Sequence, residues 1–274
     1  MIVIQLSDLH LRAGRAPAFN AADSATALER TVAHLAAMTP RPDLVIITGD
    51  IAEGGEEEAY KLAKKILAGL PCPYYVLPGN HDNPAVLRAV LQEACPAGGA
   101  DAPACCYALE GRPMRLLSLS SIEPGYHGGA LSPEAAAWLE RTLDTGGATR
   151  DVPTLLFTHH PPFLSALGLM DEPYGNAALF ASILSKNPQV RLCCGHLHRG
   201  LATLWGGVLA LCCPPQVMHI VSELTPQGGD EFRLENPGYH MHHFFDGRIN
   251  SHFCRVPGDF TQAGPYRFSA PPRP

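Results

Sequence analysis

The residues able to do chemistry fall in short clusters, each at the end of an apolar run. Asp8 and His10 follow the run at 2–6, Gly49-Asp50 follows 44–48, and Gly79-Asn80-His81-Asp82 follows 74–77. His159-His160 follows 154–158, and Gly195-His196-Leu197-His198 follows 190–194. A fold that gathers these run ends would collect carboxylates, imidazoles and one amide, which is ligand chemistry for a pair of metal ions. In Asp8-x-His10 an extended backbone turns both side chains to one face, because strand periodicity is two, so one carboxylate and one imidazole can hold one ion. His196-x-His198 repeats this with two imidazoles. Asp50 has two carboxylate oxygens and can bridge two ions. Asn80 offers a neutral carbonyl oxygen, which suits a hard cation and leaves the ions more Lewis acidic. Taken singly, each cluster reads equally well as a capping Asp, a Gly-Asp turn or a polar loop histidine. Their recurrence at one strand end after another carries the metal reading.

The elements that must position these groups can be read from periodicity. The apolar runs are short and continuous, as in strands buried on both faces. A helix is expected over 22–38, with Leu28, Val32 and Leu35 on one face. A second follows Gly54-Gly55, with Ala59, Leu62, Ala63, Ile66, Leu67 and Leu70 as a wide apolar stripe. Glu56, Glu57 and Glu58 precede Lys61, Lys64 and Lys65 there, an order that suits the helix dipole. A third helix is expected over 84–94. Strand and helix thus alternate through the first 95 residues, which predicts an α/β fold with a largely parallel sheet. Ligands of such sheets gather at the carboxyl ends of the strands. Beyond, 105–109 and 114–120 predict a hairpin, Ser132-Pro133 opens a helix, and Asn176 can cap another running to about 186. Residues 201–205 pair with 208–212 across Gly206-Gly207, and 238–245 with 248–254 across Asp246-Gly247. His240, His242 and His243 are explained by alternation in that last hairpin. The reading is one domain over 1–255, closed by the hairpin at 238–254, with 256–274 as a tail.

Composition narrows the function. The chain has 274 residues and a net charge of −6, which gives no electrostatic case for a nucleic-acid polymer or an anionic membrane as partner. No run approaches the ~18 apolar residues of a membrane span. Met1 leads straight into a strand rather than a signal peptide. The nine Cys are an odd number, several of them inside apolar runs, as expected of buried thiols in a reducing cytoplasm.

The five clusters together resemble, in the right order, the signature of the calcineurin-like metallophosphoesterases over residues 2 to about 215. His159-His160-Pro161-Pro162, Met170-Asp171, Asn176 and Cys194-Gly195-His196-Leu197-His198 are most similar to the bacterial class III cyclic nucleotide phosphodiesterases and the related glycerophosphodiesterase. The resemblance implies a four-layer α-β-β-α sandwich. It implies one ion on Asp8, His10 and His198, another on Asn80, His159 and His196, and Asp50 between them. His160 would then support the ligands from behind or serve packing, rather than ligate. The metals would be Mn, Fe, Zn or Co, which ligand softness does not separate. The implied reaction is hydrolysis of a small phosphodiester by a hydroxide bridging the two ions. His81 would bind a phosphate oxygen or protonate the leaving group, held by Asp82. His219 lies near the position of a substrate-side His in the glycerophosphodiesterase; Asn20 and His127 are weaker candidates. The expected substrate is a 3′,5′-cyclic nucleotide such as cyclic AMP. Glycerophosphodiesters, phosphomonoesters and a non-catalytic scaffold are the alternatives. Relatives of this type are dimers or larger.

Overall fold

The computed structural model describes residues 1–144, 152–258 and 262–269. Three parallel strands, β1 (Ile2–Leu6), β2 (Leu44–Thr48) and β3 (Tyr74–Leu77), form the heart of the first sheet. The helices that return the chain between and after them are α1 (Ser24–Ala36), α2 (Glu57–Leu67) and α3 (Pro84–Val90). Asp23 caps α1 by accepting from Thr26 N, and Asn83 caps α3 from Ala85 N and Val86 N. Their apolar faces, including Leu28, Leu35, Ala63 and Leu67, pack on Ile4, Leu6, Val45 and Ile47. Leu28 is fully buried, so Leu28→Ala would cost about 2–5 kcal/mol.

The second sheet runs β4 (Tyr107–Leu109), β5 (Arg115–Ser118), β6 (Thr154–Phe157), β7 (Val190–Cys194), then β9 (Val208–Cys212) beside the edge strand β8 (Leu201–Trp205). Helices α4 (Pro133–Leu143) and α5 (Ala177–Ser185) cover its outer face through Trp138, Leu139, Phe180 and Leu184. The inner faces of the two sheets meet through Val3, Leu44, Ile46, Leu116, Leu155 and Phe157. The result is the expected α-β-β-α order. Gln5 crosses the interface, donating to Thr48 Oγ1 and Cys194 O at 3.0 and 2.9 Å. This ties β1, β2 and β7 together at the end where the ligand clusters emerge.

The expected last hairpin belongs to the first sheet: β12 (Gly238–Phe245) pairs antiparallel with β1, and β13 (Arg248–Arg255) follows, which completes that sheet. Two features depart from the sequence reading. Part of the expected tail is ordered. Residues 263–267 form β14 (Ala263–Arg267) in a three-stranded sheet with β10 (Met218–Ile220) and β11 (Glu231–Leu234). Its sequence, Ala-Gly-Pro-Tyr-Arg, gave β14 no apolar run to betray it. The rest of the tail at 259–261 and 270–274 lies outside the described residues. Asn176 does precede α5, but it adopts φ 59° and its side chain donates to Leu131 O instead of capping the helix.

Candidate metal centre

Strands β1, β2, β3, β6 and β7 all release their chains at one end of the two-sheet sandwich, and the clusters converge there. The convergence needs an unusual backbone. Asp8, His10, Asp50, His196 and His198 all have positive φ, between 46 and 67°. The side chains two apart therefore meet through left-handed residues, not through the extended geometry expected of a strand, at a cost of order 1 kcal/mol each. Glycines make the approach possible. A Cβ on Gly79 would lie 2.1 Å from Asp50 Oδ1, and one on Gly49 2.4 Å from His159 Nδ1.

Two donor sets result. In the first, donor atoms of Asp8, His10, Asp50 and His198 lie within 4.8 Å of one another, and all four residues are buried. His10 Nε2 is 2.9 Å from His198 Nε2. His198 Nδ1 donates to Met218 O at 2.7 Å, and His10 Nδ1 faces the Glu53 carboxylate. Both outer nitrogens thus carry the hydrogen, and in neutral rings the two Nε2 lone pairs confront each other unless a cation or proton lies between. Asp8 Oδ1 accepts from His196 N at 3.1 Å, while Asp8 Oδ2 is buried with no hydrogen-bond partner among the described residues. In the second set, His159 Nε2, His160 Nε2 and His196 Nδ1 lie 3.0, 3.1 and 3.1 Å from Asn80 Oδ1. Three imidazole nitrogens are more than the two lone pairs of one amide oxygen can serve. Asp50 stands between the sets: its Oδ1 accepts from His81 N at 2.9 Å, and its Oδ2 is 3.6 Å from His10 Nε2 and 3.3 Å from His159 Nε2. The confronted lone pairs, the orphaned carboxylate oxygen and the crowded amide oxygen fit a pair of cations.

Electrostatics agrees. Burial raises Asp8 to about 6. Burial pushes Asp50 up as well, but His159 and His81 outweigh it and hold Asp50 well below the usual carboxylate range. His159 is the counterpart: burial opposes its charge, Asp50 overrides, and it rises to about 9. Burial and neighbouring His10 lower His198 to about 3.

The remaining sequence candidates separate. His81 overhangs the first set, 4.9 Å from His10 between ring centroids, and its Nδ1 donates to Glu53 O at 3.1 Å. Asp82 does not hold it. The Asp82 carboxylate is buried and accepts from Ile51 N, Ala52 N, Gly79 N and Tyr60 Oη, so it braces the two ligand loops against each other. The acid beside His81 is Glu53, whose Oε1 is 3.4 Å from His81 Nδ1. Burial raises Glu53, but its bonds to His10 and His81 outweigh that and bring it to about 2. Glu53 was legible in principle, as a second carboxylate three residues past Asp50. His160 supports the second set: Ser121 Oγ holds its Nδ1 at 2.9 Å and its Nε2 faces Asn80.

A cleft of about 230 Å³ above the sets is lined by His81, His127, Phe19, Met170, Asp230 and Phe268, among others. His127 lines it as proposed, paired with Glu172 at 2.9 Å. Asn20 is exposed and does not line it; its neighbour Phe19 does. His219 does not reach it either: strand β10 turns its side chain to a separate cavity, where Nε2 donates to Asn236 O at 3.1 Å. Phe268, from beyond β14, stacks edge-on to Phe19 with centroids 5.0 Å apart and lies 5.8 Å from His198. No local pattern announced Phe268, because its place depends on the pairing of β14 with distant β11.

Two sheets flanked by helices, with paired carboxylate and imidazole donors at their strand ends, define a metallophosphoesterase framework. The calcineurin-like phosphoesterase profile matches residues 1–200. The chain belongs to that family, and it is a phosphoesterase. It is 35% identical, over 98% of its length and 97% of the relative's, to a probable glycerophosphodiester phosphodiesterase GpdQ of Arcobacter nitrofigilis. It is 32% identical over 77% of its length, and 74% of the relative's, to the 3′,5′-cyclic adenosine monophosphate phosphodiesterase CpdA of Escherichia coli. The purple acid phosphatase PPD1 of yellow lupin shares the fold at TM-score 0.65 and 13% identity, over 93% of this chain and 51% of that one. Among the described residues no helix is long and apolar enough to cross a membrane.

Proposed function

We propose that the protein is a dinuclear metal-dependent phosphodiesterase acting on a 3′,5′-cyclic nucleotide such as cyclic AMP. The observation that carries the reading is the pair of donor sets sharing Asp50 beneath a cleft walled by Phe19 and Phe268. Asp8, His10 and His198 would hold one ion, and Asn80, His159 and His196 the other, with His160 beside the second. Asp50 faces both. Bound ions of the Mn, Fe, Zn or Co type supply charge neutralisation for the phosphate and an activated water.

The chain's own groups do the rest. Glu53 and the Glu53 carbonyl orient the His81 ring through Nδ1, which leaves Nε2 for the cleft. There His81 hydrogen-bonds a phosphoryl oxygen and delivers a proton to the departing alkoxide. Phe19 and Phe268 present ring faces and edges to a flat nucleobase, a contact of about 1–3 kcal/mol per base. Asp82 keeps the loops after β2 and β3 in register. A cytoplasmic enzyme forming dimers or larger assemblies is part of the reading.

A glycerophosphodiester is the second reading, favoured by the full-length likeness to the probable GpdQ. Turnover of cyclic AMP, glycerophosphocholine, a phosphomonoester and bis-p-nitrophenyl phosphate by the Mn-loaded protein tests both. Cyclic AMP is expected to give the highest kcat/KM, with a loss of about tenfold or more in Phe268→Ala confined to it. Preference for glycerophosphocholine would select the second reading. Hydrolysis of the monoester alone would select a phosphomonoesterase, and no hydrolysis of any of the four at full metal occupancy would leave a scaffold.

A further inference from the structure

His219, displaced from the metal cleft, lines a cavity of about 500 Å³ that shares no residue with that cleft. Its charged walls are Arg199, Arg233, Glu235 and Arg255, and Phe253 is its aromatic wall. The charges do not balance. Arg255 Nη1 donates to Glu235 Oε2 at 3.0 Å, which pairs the carboxylate with one of the three guanidiniums. Arg199 donates to the Ile220 carbonyl at 2.8 Å, a neutral partner, and Arg233 stands opposite His219 in the β10–β11 register. Burial, opposed in part by Glu235, lowers His219 to about 4, so it adds no charge near neutral pH. Two positive charges are left over in one concavity. Beside them the Phe253 ring is 51% exposed, and Gly200 approaches it closely enough that a Cβ there would lie 3.1 Å from Phe253 Cδ1.

We propose that this cavity binds a phosphate monoester dianion, with the phosphate on Arg199 and Arg233 and the organic part against Phe253. Guanidinium forks match phosphate oxygens two at a time, and two surplus charges match the dianion present near neutral pH. The volume is that of a small-molecule site. A monoester is also the product of diester hydrolysis; that link rests on the proposed function, whereas the binding does not. Occupancy bears on the metal centre through a short path. Arg199 adjoins His198, and Ile220 donates its N–H to His198 O at 3.1 Å while its own carbonyl takes Arg199. An anion that draws Arg199 away from Ile220 acts on the segment that also anchors His198 through Met218 O.

Calorimetric titration of the Mn-loaded protein with 5′-AMP, and separately with inorganic phosphate, tests the proposal without turnover. Two classes of site are expected, one in the metal cleft and one in the cavity. Arg233→Gln should weaken the second class about tenfold or more and leave the first unchanged, and Arg199→Gln should weaken the second class by a similar factor. Arg233 is exposed, and a thermal melt confirms that its variant is folded; Arg233→Lys should restore part of the affinity. Phe253→Ala should weaken 5′-AMP and spare phosphate. Equal binding of the two anions, with no effect of Phe253→Ala, would keep the anion site and overturn its organic half. A single class of site, indifferent to both arginine variants, would overturn the proposal, and diester hydrolysis measured in parallel would show that the proposed function stands regardless.

Discussion

The protein buries two groups of histidines, and only one of them is built for ligation. At the strand ends, His10, His159 and His198 each anchor one ring nitrogen on an acceptor: the Glu53 carboxylate, Thr48 O and Met218 O. Their other nitrogens converge on Asp8, Asp50 and Asn80. In β12, His240 and His242 are equally inaccessible. His242 is satisfied by Ser251 Oγ at 2.7 Å and by Gln5 Oε1 at 3.2 Å, and His240 has no partner on either nitrogen among the described residues. Among the described residues no carboxylate acts on either ring. Burial alone lowers His240 to about 4, whereas Asp50 reverses the effect of burial on His159. Burial of imidazole is therefore common to both groups. An anchored far nitrogen and a shared carboxylate are what turn it into ligand chemistry.

Removing the shared carboxylate should break that distinction most severely. Asp50→Ala is expected to lose both ions by elemental analysis and to lower kcat/KM by ~10⁴-fold or more, as for a member of a catalytic unit. Two ions retained in this variant would refute the bridging assignment. His81→Ala sharpens the contrast between holding metal and using it: kcat should fall by about 10²–10⁴-fold with metal content unchanged. Equal loss of metal would make His81 a ligand. Glu53→Gln should cost about 10–100-fold, because it loosens the rings of His10 and His81 together without removing a ligand. Asp82→Asn, by contrast, should act on thermal stability more than on the kcat of folded enzyme, since its carboxylate accepts from Ile51 N, Ala52 N, Gly79 N and Tyr60 Oη, none of them in the cleft; a selective kcat defect would restore it as the partner of His81.

How much of this could be read beforehand follows the range of the interactions. Asp8, His10, Asp50, Asn80, His159, His196 and His198 were legible because each closes a local apolar run, and strand ends of an α/β sheet meet at one edge. The α/β alternation of the first half followed from the spacing of the runs, and the four-layer sandwich from the family resemblance. What escaped depends on contacts between segments remote in sequence. Asp82 is adjacent to His81, yet its carboxylate is turned to the amides of Ile51 and Ala52, 31 and 30 residues earlier. Glu53 reaches His81 across 28 residues. His219 is turned away by its pairing with β11, and Phe268 is delivered by β14, whose sequence has no strand periodicity. The same-face geometry of Asp8 and His10 was right in outcome and wrong in cause, because left-handed residues produce it.

The smallest effect concerns the histidines that hold nothing. His240 has an ordinary value near 6.5 in the unfolded chain and about 4 in the folded one, lowered by burial. Between those values the unfolded chain binds the extra proton, so stability falls as pH drops through that window, by about 1 kcal/mol per unit and roughly 3 kcal/mol in all. Above the unfolded value the residue contributes no pH dependence. His240→Phe removes the titrating group and fills the space beside Phe253, whose ring centroid is 4.4 Å away. Urea unfolding at pH 7 and pH 5 should therefore show a smaller acid loss in His240→Phe than in the parent, by about 1–2 kcal/mol, with metal content at pH 7 the same. An identical acid loss would mean that His240 is protonated in the folded state at pH 5. A drop in metal content would place it among the ligands, and the division between the two histidine groups would fail.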